Sequence, residues 1–202
     1  MPKSHKILYF IYIVIWIISA IDPKYPSDWL IENILVITLF PVVIWLDTKY
    51  RLSFWALFML LVFASLHSLG AHFTYAKMSY FDVITHMFGF ERNHFDRVVH
   101  FLFGALVFRT FFEIISHYVT KKRVTLIFTF TLIVSISTLY EILEYFAAVI
   151  FHPELGIAFL GTQGDVWDAQ KDTIAAISGA VINIMIYLLK DKIETKNYNR
   201  SS

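Results

Sequence analysis

The chain contains no cysteine, and only 16% of its 202 residues are charged. Without cysteine, neither a disulfide framework nor a thiolate metal site can organise the fold. The charged fraction lies well below the roughly 25% of an ordinary soluble domain. The formal net charge is only +1, and the basic clusters are short. We therefore expect no nucleic-acid partner.

Recognised catalytic motifs are also missing. The sequence has no H-E-x-x-H, no G-x-S-x-G and no P-loop, so zincin, serine-hydrolase and nucleotide chemistries have no motif support. It also has no Gly/Ser-rich linker, low-complexity tract or internal repeat. We therefore predict one transmembrane domain over residues 1–202.

Long apolar runs dominate what is present. Hydrophobic residues make up 57% of the chain and the mean hydropathy is +0.61, which is typical of an integral membrane protein. Six segments approach the roughly 20 residues that cross a bilayer as a helix. They are residues 7–21, 29–46, 52–72, 98–119, 124–151 and 173–189. The first is short enough to be a signal peptide, but its bulky aromatics and lack of an A-x-A site favour a retained helix. We predict an all-α, polytopic membrane protein of about six transmembrane helices.

Lysine and arginine indicate the orientation of these helices. If the N-terminus is cytoplasmic, most basic side chains flank the inner ends of the spans, so both termini are predicted to be cytoplasmic. The inner connections DTKYR and TKKR are minimal, whereas two outer connections, residues 73–96 and 152–172, are long. Long loops carry function more often than tight ones.

Ionisable side chains cluster towards one membrane face. A helix rises about 1.5 Å per residue, so the position of a residue along its span gives an approximate depth. By this measure five helices bring acidic groups or histidines to the outer boundary. These residues are Glu32, His67, His72, Asp96, His100, Glu141, Glu144, Asp165, Asp168 and Asp172. Because charge inside the hydrocarbon is costly and normally faces a partner or a wet cavity, we expect a polar pocket there.

Asp96 and His100 are separated by one helical turn. A carboxylate and an imidazole at this spacing can share a proton, act as acid and base, or ligate one metal. Equally, Asp96 can cap the start of the fourth helix, although capping leaves His100 unexplained. On the inner half of the same helix, we expect Arg109 and Glu113 to form a structural ion pair.

Three aspartates precede the last apolar run. Asp165 and Asp168 can imitate a capping box, and carboxylates in a first turn suit the helix dipole. Asp172 lies beyond that benefit and precedes TIAAISGA, a run of small residues that suits close helix packing. Asp168 and Asp172 are therefore the stronger candidates for a chemical role.

Glu141 and Glu144 lie too deep in their apolar segment to be caps. Two carboxylates a turn apart at low dielectric need a cation, a protonated histidine or a metal between them. The alternative is that the fifth transmembrane segment ends early, near Thr138, and leaves both glutamates solvated.

Four strings resemble those of the YjdF-type family of bacterial inner-membrane proteins. They are LHSLGAHFTYAK (residues 66–77), RNHFDRVVHFLFG (92–104), YEILEY (140–145) and FLGTQGDVWDAQKD (159–172). The resemblance covers residues 65–180 and implies a multi-pass protein of the bacterial inner membrane with its polar core in that region. It implies no particular reaction, since no biochemical activity is established for that family.

A more distant resemblance is to VanZ-like membrane proteins, which are associated with glycopeptide resistance. An Asp-x-x-x-His element, a glutamate-bearing helix and an aspartate-rich helix follow one another in the same order. The matching pairs are Asp96 with His100, Glu141 with Glu144, and Asp168 with Asp172. This resemblance implies a role in antibiotic tolerance as one alternative.

Our leading hypothesis from the sequence is a membrane-embedded, metal-assisted hydrolase or transferase that acts on a lipid or lipid-linked envelope substrate at the extracytoplasmic leaflet. The candidate catalytic residues are Asp96, His100, Glu141, Glu144, Asp168 and Asp172. Carboxylate and imidazole donors without thiolates suit Zn, Mn, Fe or Mg, and the candidate metal ligands are His72, His100, Asp168 and Asp172. The candidate substrate pocket comprises His67, Tyr75, Arg92, His94, Arg97, Tyr140, Gln163, Asp165 and Trp167.

Membrane lipids are the expected partners, and two other functions stay open. One is a transporter in which the same carboxylates form a proton or cation relay. The other is a non-catalytic membrane protein with a VanZ-like tolerance role, in which the polar cluster only holds the helices together.

Overall fold

The regular structure in the described part of the chain is helical throughout. The computed structural model describes residues 1–151 and 163–201. The helices are α1 Lys3–Ser19, α2 Pro26–Tyr50, α3 Phe54–Phe73, α4 Ser79–Met87, α5 Phe95–Leu102, α6 Phe108–Ser116, α7 Lys122–Phe151 and α8 Asp168–Ser201. A short 3-10 turn, Tyr75–Lys77, follows α3, and a π-helical turn, Phe103–Val107, joins α5 to α6. The all-α prediction is confirmed for these residues.

Five helical stretches are long and apolar enough to cross a membrane. They are Pro26–Tyr50, Phe54–Phe73, Phe95–Ser116, Lys122–Ile150 and Asp168–Glu194. Each overlaps one of the six spans predicted from the sequence. The number of spans beyond five and the orientation of the termini stay predictions.

Helix α1 corresponds to the first predicted span, residues 7–21, which is not among these five. Its 17 residues rise about 26 Å, a little less than the roughly 30 Å of a hydrocarbon core. Near its start, Nδ1 of His5 lies 3.0 Å from Oδ1 of Asp47, close to the end of α2. Near its end, Trp16 donates a 2.6 Å hydrogen bond to Asn33. Helix α1 thus extends along most of α2, which supports a sixth span without establishing it.

Tight turns place the ends of the helices on two levels. Helix α2 ends where Arg51 adopts a left-handed conformation with φ of 50°. Two residues later, the Ser53 side chain accepts from the Ala56 N–H and caps α3. At the other end of α3, the carbonyl of His72 accepts from the Lys24 N–H, just before α2 begins. The end of the bundle where α2 begins and α3 ends is called the site end below.

Helix α8 packs unusually close to the segment formed by α5 and the π turn. A Cβ atom placed on Gly104 would overlap the carbonyl oxygen of Ala176, and one on Gly179 would overlap that of Phe101. The run of small residues after Asp172 therefore lies where close packing was predicted. Glycine is required at both positions because the opposing atoms belong to backbone and cannot rotate away.

The π turn leaves backbone carbonyls without their usual helical donors, and α8 supplies a replacement. The Asn183 side-chain amide donates to the carbonyl of Ala105 at 2.8 Å and to that of Gly104 at 3.4 Å. Around this contact lies an apolar core cluster that includes Phe108, Ile133 and Ala176, all fully buried. This core holds the π turn, α6, α7 and α8 together below the site end.

Parts of two predicted features lie outside the described residues. These parts are residues 152–162 of the long connection predicted at 152–172 and residues 159–162 of the family-like string at 159–172. The structure describes that string from Gln163 onward.

Candidate functional site

A buried acidic centre lies at the site end, formed by Asp96, His100, Glu141 and Asp172. His100 Nε2 lies 3.6 Å from Asp96 Oδ1 and 3.3 Å from Glu141 Oε1. Asp172 approaches from α8, and ligand atoms of Asp96, His100 and Asp172 lie within 4.8 Å of one another. The exposed fractions of these three residues are 8%, 7% and 2%. Three helices, α5, α7 and α8, thus bring together four residues that were predicted to be catalytic.

Asp96 faces this centre from the first turn of α5. The residue at the cap position is His94, and the Phe95 N–H is satisfied by the Asn93 side chain at 2.9 Å. Asp96 is therefore not the cap, and the local backbone does not account for its burial. Its spacing of four residues places it on the same helix face as His100.

The glutamates of α7 lie within a continuous helix. Helix α7 runs without interruption to Phe151, so both glutamates are helical, and the point at which its transmembrane part ends stays a prediction. Glu141 reaches His100, and Glu144 is half-buried one turn further along. Glu144 also lies within electrostatic range of Asp96 and Glu141.

An arginine clasp covers the acidic centre on the α8 side, and it comprises Arg92, Arg97, Asp165 and Asp168. Arg92 bonds both oxygens of Asp168, at 2.5 and 3.1 Å. Arg97 Nη2 lies 2.6 Å from Asp165 and 3.0 Å from Asp168. Guanidinium groups that bridge carboxylates in this way form strong, directional contacts. Asp168 is therefore held as a partner of arginine, away from the ligand group of the acidic centre.

Nearby charges and burial set the protonation states of Asp165 in the clasp and of His94 beside it. A hydrogen bond from Lys171, aided by the Trp167 N–H and by Arg97, holds the pKa of Asp165 well below its ordinary value. Burial, together with the guanidinium groups of Arg97 and Arg92, lowers the pKa of His94. At neutral pH Asp165 is therefore ionised and His94 is neutral.

Two loops at the site end are joined by Asn93, a residue that sequence reasoning did not select. Its backbone exchanges two 3.0 Å hydrogen bonds with the side chain of Gln163. Its side-chain amide donates to Met78 O at 2.9 Å and to Asp82 at 2.8 Å. Asn93 thereby ties α4 and the segment before α8 to the start of α5. The signal available in the sequence was its place in RNHFDRVVHFLFG between two selected residues.

A second polar chain runs beside the acidic centre through Tyr75, His67, Glu32 and Tyr140. The Tyr75 hydroxyl lies 2.5 Å from His67 Nδ1, and His67 Nε2 lies 3.9 Å from Glu32 Oε2. Tyr140 donates to the same glutamate oxygen at 3.1 Å, and its ring meets His100 edge-on. Burial and the nearby carboxylates raise the pKa of Tyr75 well above its ordinary value, so its hydroxyl keeps its proton.

Two selected residues lie apart from the site. His72, a candidate metal ligand, has Nδ1 2.9 Å from the carbonyl of Ser19 and so joins α3 to the end of α1. Trp167, a candidate pocket residue, is 61% exposed. The predicted pair of Arg109 and Glu113 forms with a 3.0 Å contact, far along the helix from His100.

An apolar cavity of about 210 Å³ meets these polar groups at one end. Its polar end is formed by His67, Tyr75, Asp96, His100 and Tyr140. Helices α2 and α7 both line the cavity, and in the described part of the chain their backbones come close at few points, with Tyr140 donating to Glu32 between them. Its other lining residues are Tyr12, Leu35, Val36, Leu39, Phe40, Val43, Leu60, Leu61, Phe63, Ala64, Val99, Phe103, Ile136 and Ser137.

Comparisons with known proteins agree with a membrane protein. The family model described as "Predicted membrane protein (DUF2238)" matches residues 4–192. The inner membrane protein YjdF of Escherichia coli (strain K12) is 29% identical over 177 residues, which cover 85% of this chain and 83% of the relative. No solved structure matches the chain significantly.

Proposed function

The chain belongs to the DUF2238 family of predicted membrane proteins, and we propose that it is a membrane-embedded enzyme acting on a lipid or lipid-linked substrate. The observation that carries the proposal is the cavity, which is apolar along its length and ends on Asp96 and His100. One substrate would place an apolar chain along α2 and its reactive group beside the acidic centre.

The size and lining of the cavity support an apolar chain as the occupant. A cavity of about 150 Å³ lined by aliphatic and aromatic groups stays dry and binds small hydrocarbons, so the 210 Å³ found here can hold part of an acyl or prenyl chain. The lining extends along α2 from Leu35 to Val43, a rise of about 12 Å. The loose contact between α2 and α7 offers lateral access from the bilayer.

The chemistry at the polar end suits hydrolysis or group transfer. His100 lies between two carboxylates, and Tyr75 and His67 form a hydrogen-bonded pair close by. Such groups can accept a proton from an attacking hydroxyl and return it to a leaving oxygen. Because lysine and arginine favour a cytoplasmic position for both termini, we place this chemistry at the extracytoplasmic leaflet of the bacterial inner membrane.

The cavity lining favours an enzyme over the transporter. Among the described lining residues, those beyond the polar end are apolar apart from Tyr12 and Ser137. A proton or cation relay would need a polar path leading on from the acidic centre. The VanZ-like tolerance role has no specific support in the geometry of the site.

The test is a lipid profile of a deletion strain that carries complementing variants. We expect one lipid or lipid-linked species to change on deletion and to be restored by the wild type. His100→Ala and Val36→Trp, which respectively remove the imidazole and fill the cavity, should fail to restore it. Ile34→Trp is the matched control because this side chain lies two residues from Val36 and is exposed on α2. Full restoration by His100→Ala, or no altered lipid on deletion, would overturn the proposal.

A further inference from the structure

The acidic centre carries more carboxylate than the described side chains around it neutralise. In the part of the chain that the structure describes, Arg97 Nη2 donates to Asp165 and Asp168, its Nη1 lies 3.4 Å from His94 Nδ1, and its Nε approaches Asp172 only to 3.8 Å. Asp96 and Glu141 have His100 as their near partner. Isolated carboxylates are costly to bury, whereas buried charges are normally paired or coordinate metals.

Two buried oxygens at this centre have no hydrogen-bond partner among the described residues. They are Oδ1 of Asp172 and Oε1 of Glu141. The Asp172 side chain is 3% exposed, and its residue lies in the same ligand group as Asp96 and His100. A buried carboxylate with an oxygen that lacks a donor, on a residue whose ligand atom lies within 4.8 Å of those of an imidazole and a second carboxylate, is the arrangement of a cation ligand.

The spacing of the donors fits a single ion between two helices. Asp96 and His100 project from the same face of α5, and Asp172 projects from α8, where contact through Gly104 and Gly179 fixes the distance between the helices. Three protein ligands with one position left for solvent or substrate is the usual design of a catalytic metal site. Glu141, at 3.3 Å from His100, is placed to assist at that position.

We propose that Asp96, His100 and Asp172 bind one divalent transition-metal ion, with Glu141 beside its open coordination position. Two carboxylates and one imidazole suit Zn²⁺ or Mn²⁺ better than a thiol-seeking metal. The ligand set differs from the one expected from the sequence, because Asp96 takes part while His72 and Asp168 are held by other partners. The metal site stands independently of any lipid substrate.

The test measures metal on protein purified in mild detergent with a peptide epitope tag that does not bind metal. We expect about one equivalent of Zn or Mn per chain by elemental analysis, falling at least tenfold in His100→Ala and in Asp172→Asn. The matched control is Asp47→Asn, since Asp47 is also a buried carboxylate within 3.0 Å of a histidine, His5, but lies at the opposite end of α2. Its metal content should equal that of the wild type.

A second measurement uses the unchanged chain and does not depend on the variants folding. Chelation of the wild type should lower its melting temperature in detergent, and ZnCl₂ or MnCl₂ should restore it, because a ligand that binds only the native state stabilises it. Metal that persists in folded Asp172→Asn, or a wild type that neither contains metal nor responds to it, would overturn the assignment. These readings involve no lipid, so they separate the metal site from the proposed reaction.

Discussion

Replacement of Gly179 by alanine probes the contact that positions Asp172 opposite His100. The added Cβ would overlap the carbonyl oxygen of Phe101 and lie 2.7 Å from the backbone nitrogen of Ala105. The distance to the Phe101 oxygen would be 2.2 Å, whereas ordinary contacts of a Cβ are 3.4 Å or more, so the two helices must separate by about 1 Å.

The magnitude follows from two destabilising contributions and one stabilising contribution. Overpacking costs about 1–3 kcal/mol, and the separation also weakens the hydrogen bond from Asn183 to Ala105, worth about 1 kcal/mol. Alanine gains about 1 kcal/mol in helix propensity over glycine. We expect a net destabilisation of about 2 kcal/mol, which lowers the melting temperature of a chain of this size by roughly 4–8 °C.

The assay is thermal unfolding in detergent, followed by intrinsic fluorescence. Ser178→Ala is the matched control, because Ser178 is the preceding residue on α8, is exposed, and bonds only to Ile174 of its own helix. It should change stability by no more than about 0.5 kcal/mol. If Gly179→Ala melts at or above the wild-type temperature, the close approach of α5 and α8 is refuted.

Three further predictions concern the π turn, the arginine clasp and the membrane orientation. Asn183→Ala removes the donor to the π-turn carbonyls and should lower the melting temperature by roughly 2–6 °C; an unchanged value would contradict its role. The pKa of Asp165 is lowered in the folded chain. Its ionised carboxylate therefore adds to the free energy of unfolding above the pKa of the unfolded chain, which is near 4, and this stabilisation is lost as the pH falls below that value. The stability difference between wild type and Asp165→Asn should therefore shrink from pH 7 to pH 3, and a constant difference would count against the clasp. Since the chain lacks cysteine, Ser27→Cys should react with an impermeant maleimide in intact cells and Lys192→Cys only after permeabilisation, and the reverse pattern would refute the predicted orientation.

Depth along each helix was the part of the site that could be predicted from the sequence. Counting residues from the ends of the apolar runs placed Asp96, His100, Glu141 and Asp172 at one level, and the structure brings these four together. The direction in which each side chain points around its helix axis could not be predicted in the same way. His72 lies at nearly the right level, but its ring faces α1.

Hydrogen bonds between residues far apart in the sequence also could not be predicted. Arg97 and Asp168 were selected separately, yet nothing local indicated that the arginine would bind this carboxylate 71 residues away. Likewise, Asn183 has no distinctive neighbours in the sequence. Its importance follows from carbonyls of the π turn that only the three-dimensional packing brings within its reach.

The π turn at Phe103–Val107 determines how this protein can change over evolution. It places one extra residue in the helix between His100 and Arg109, and each residue of an α-helix turns the chain by about 100°. A single deletion there would restore regular α-helical geometry while swinging Asp96 and His100 away from Asp172. Apart from Gly104, where a side chain would overlap the backbone of α8, this stretch should therefore tolerate many substitutions but no change of length.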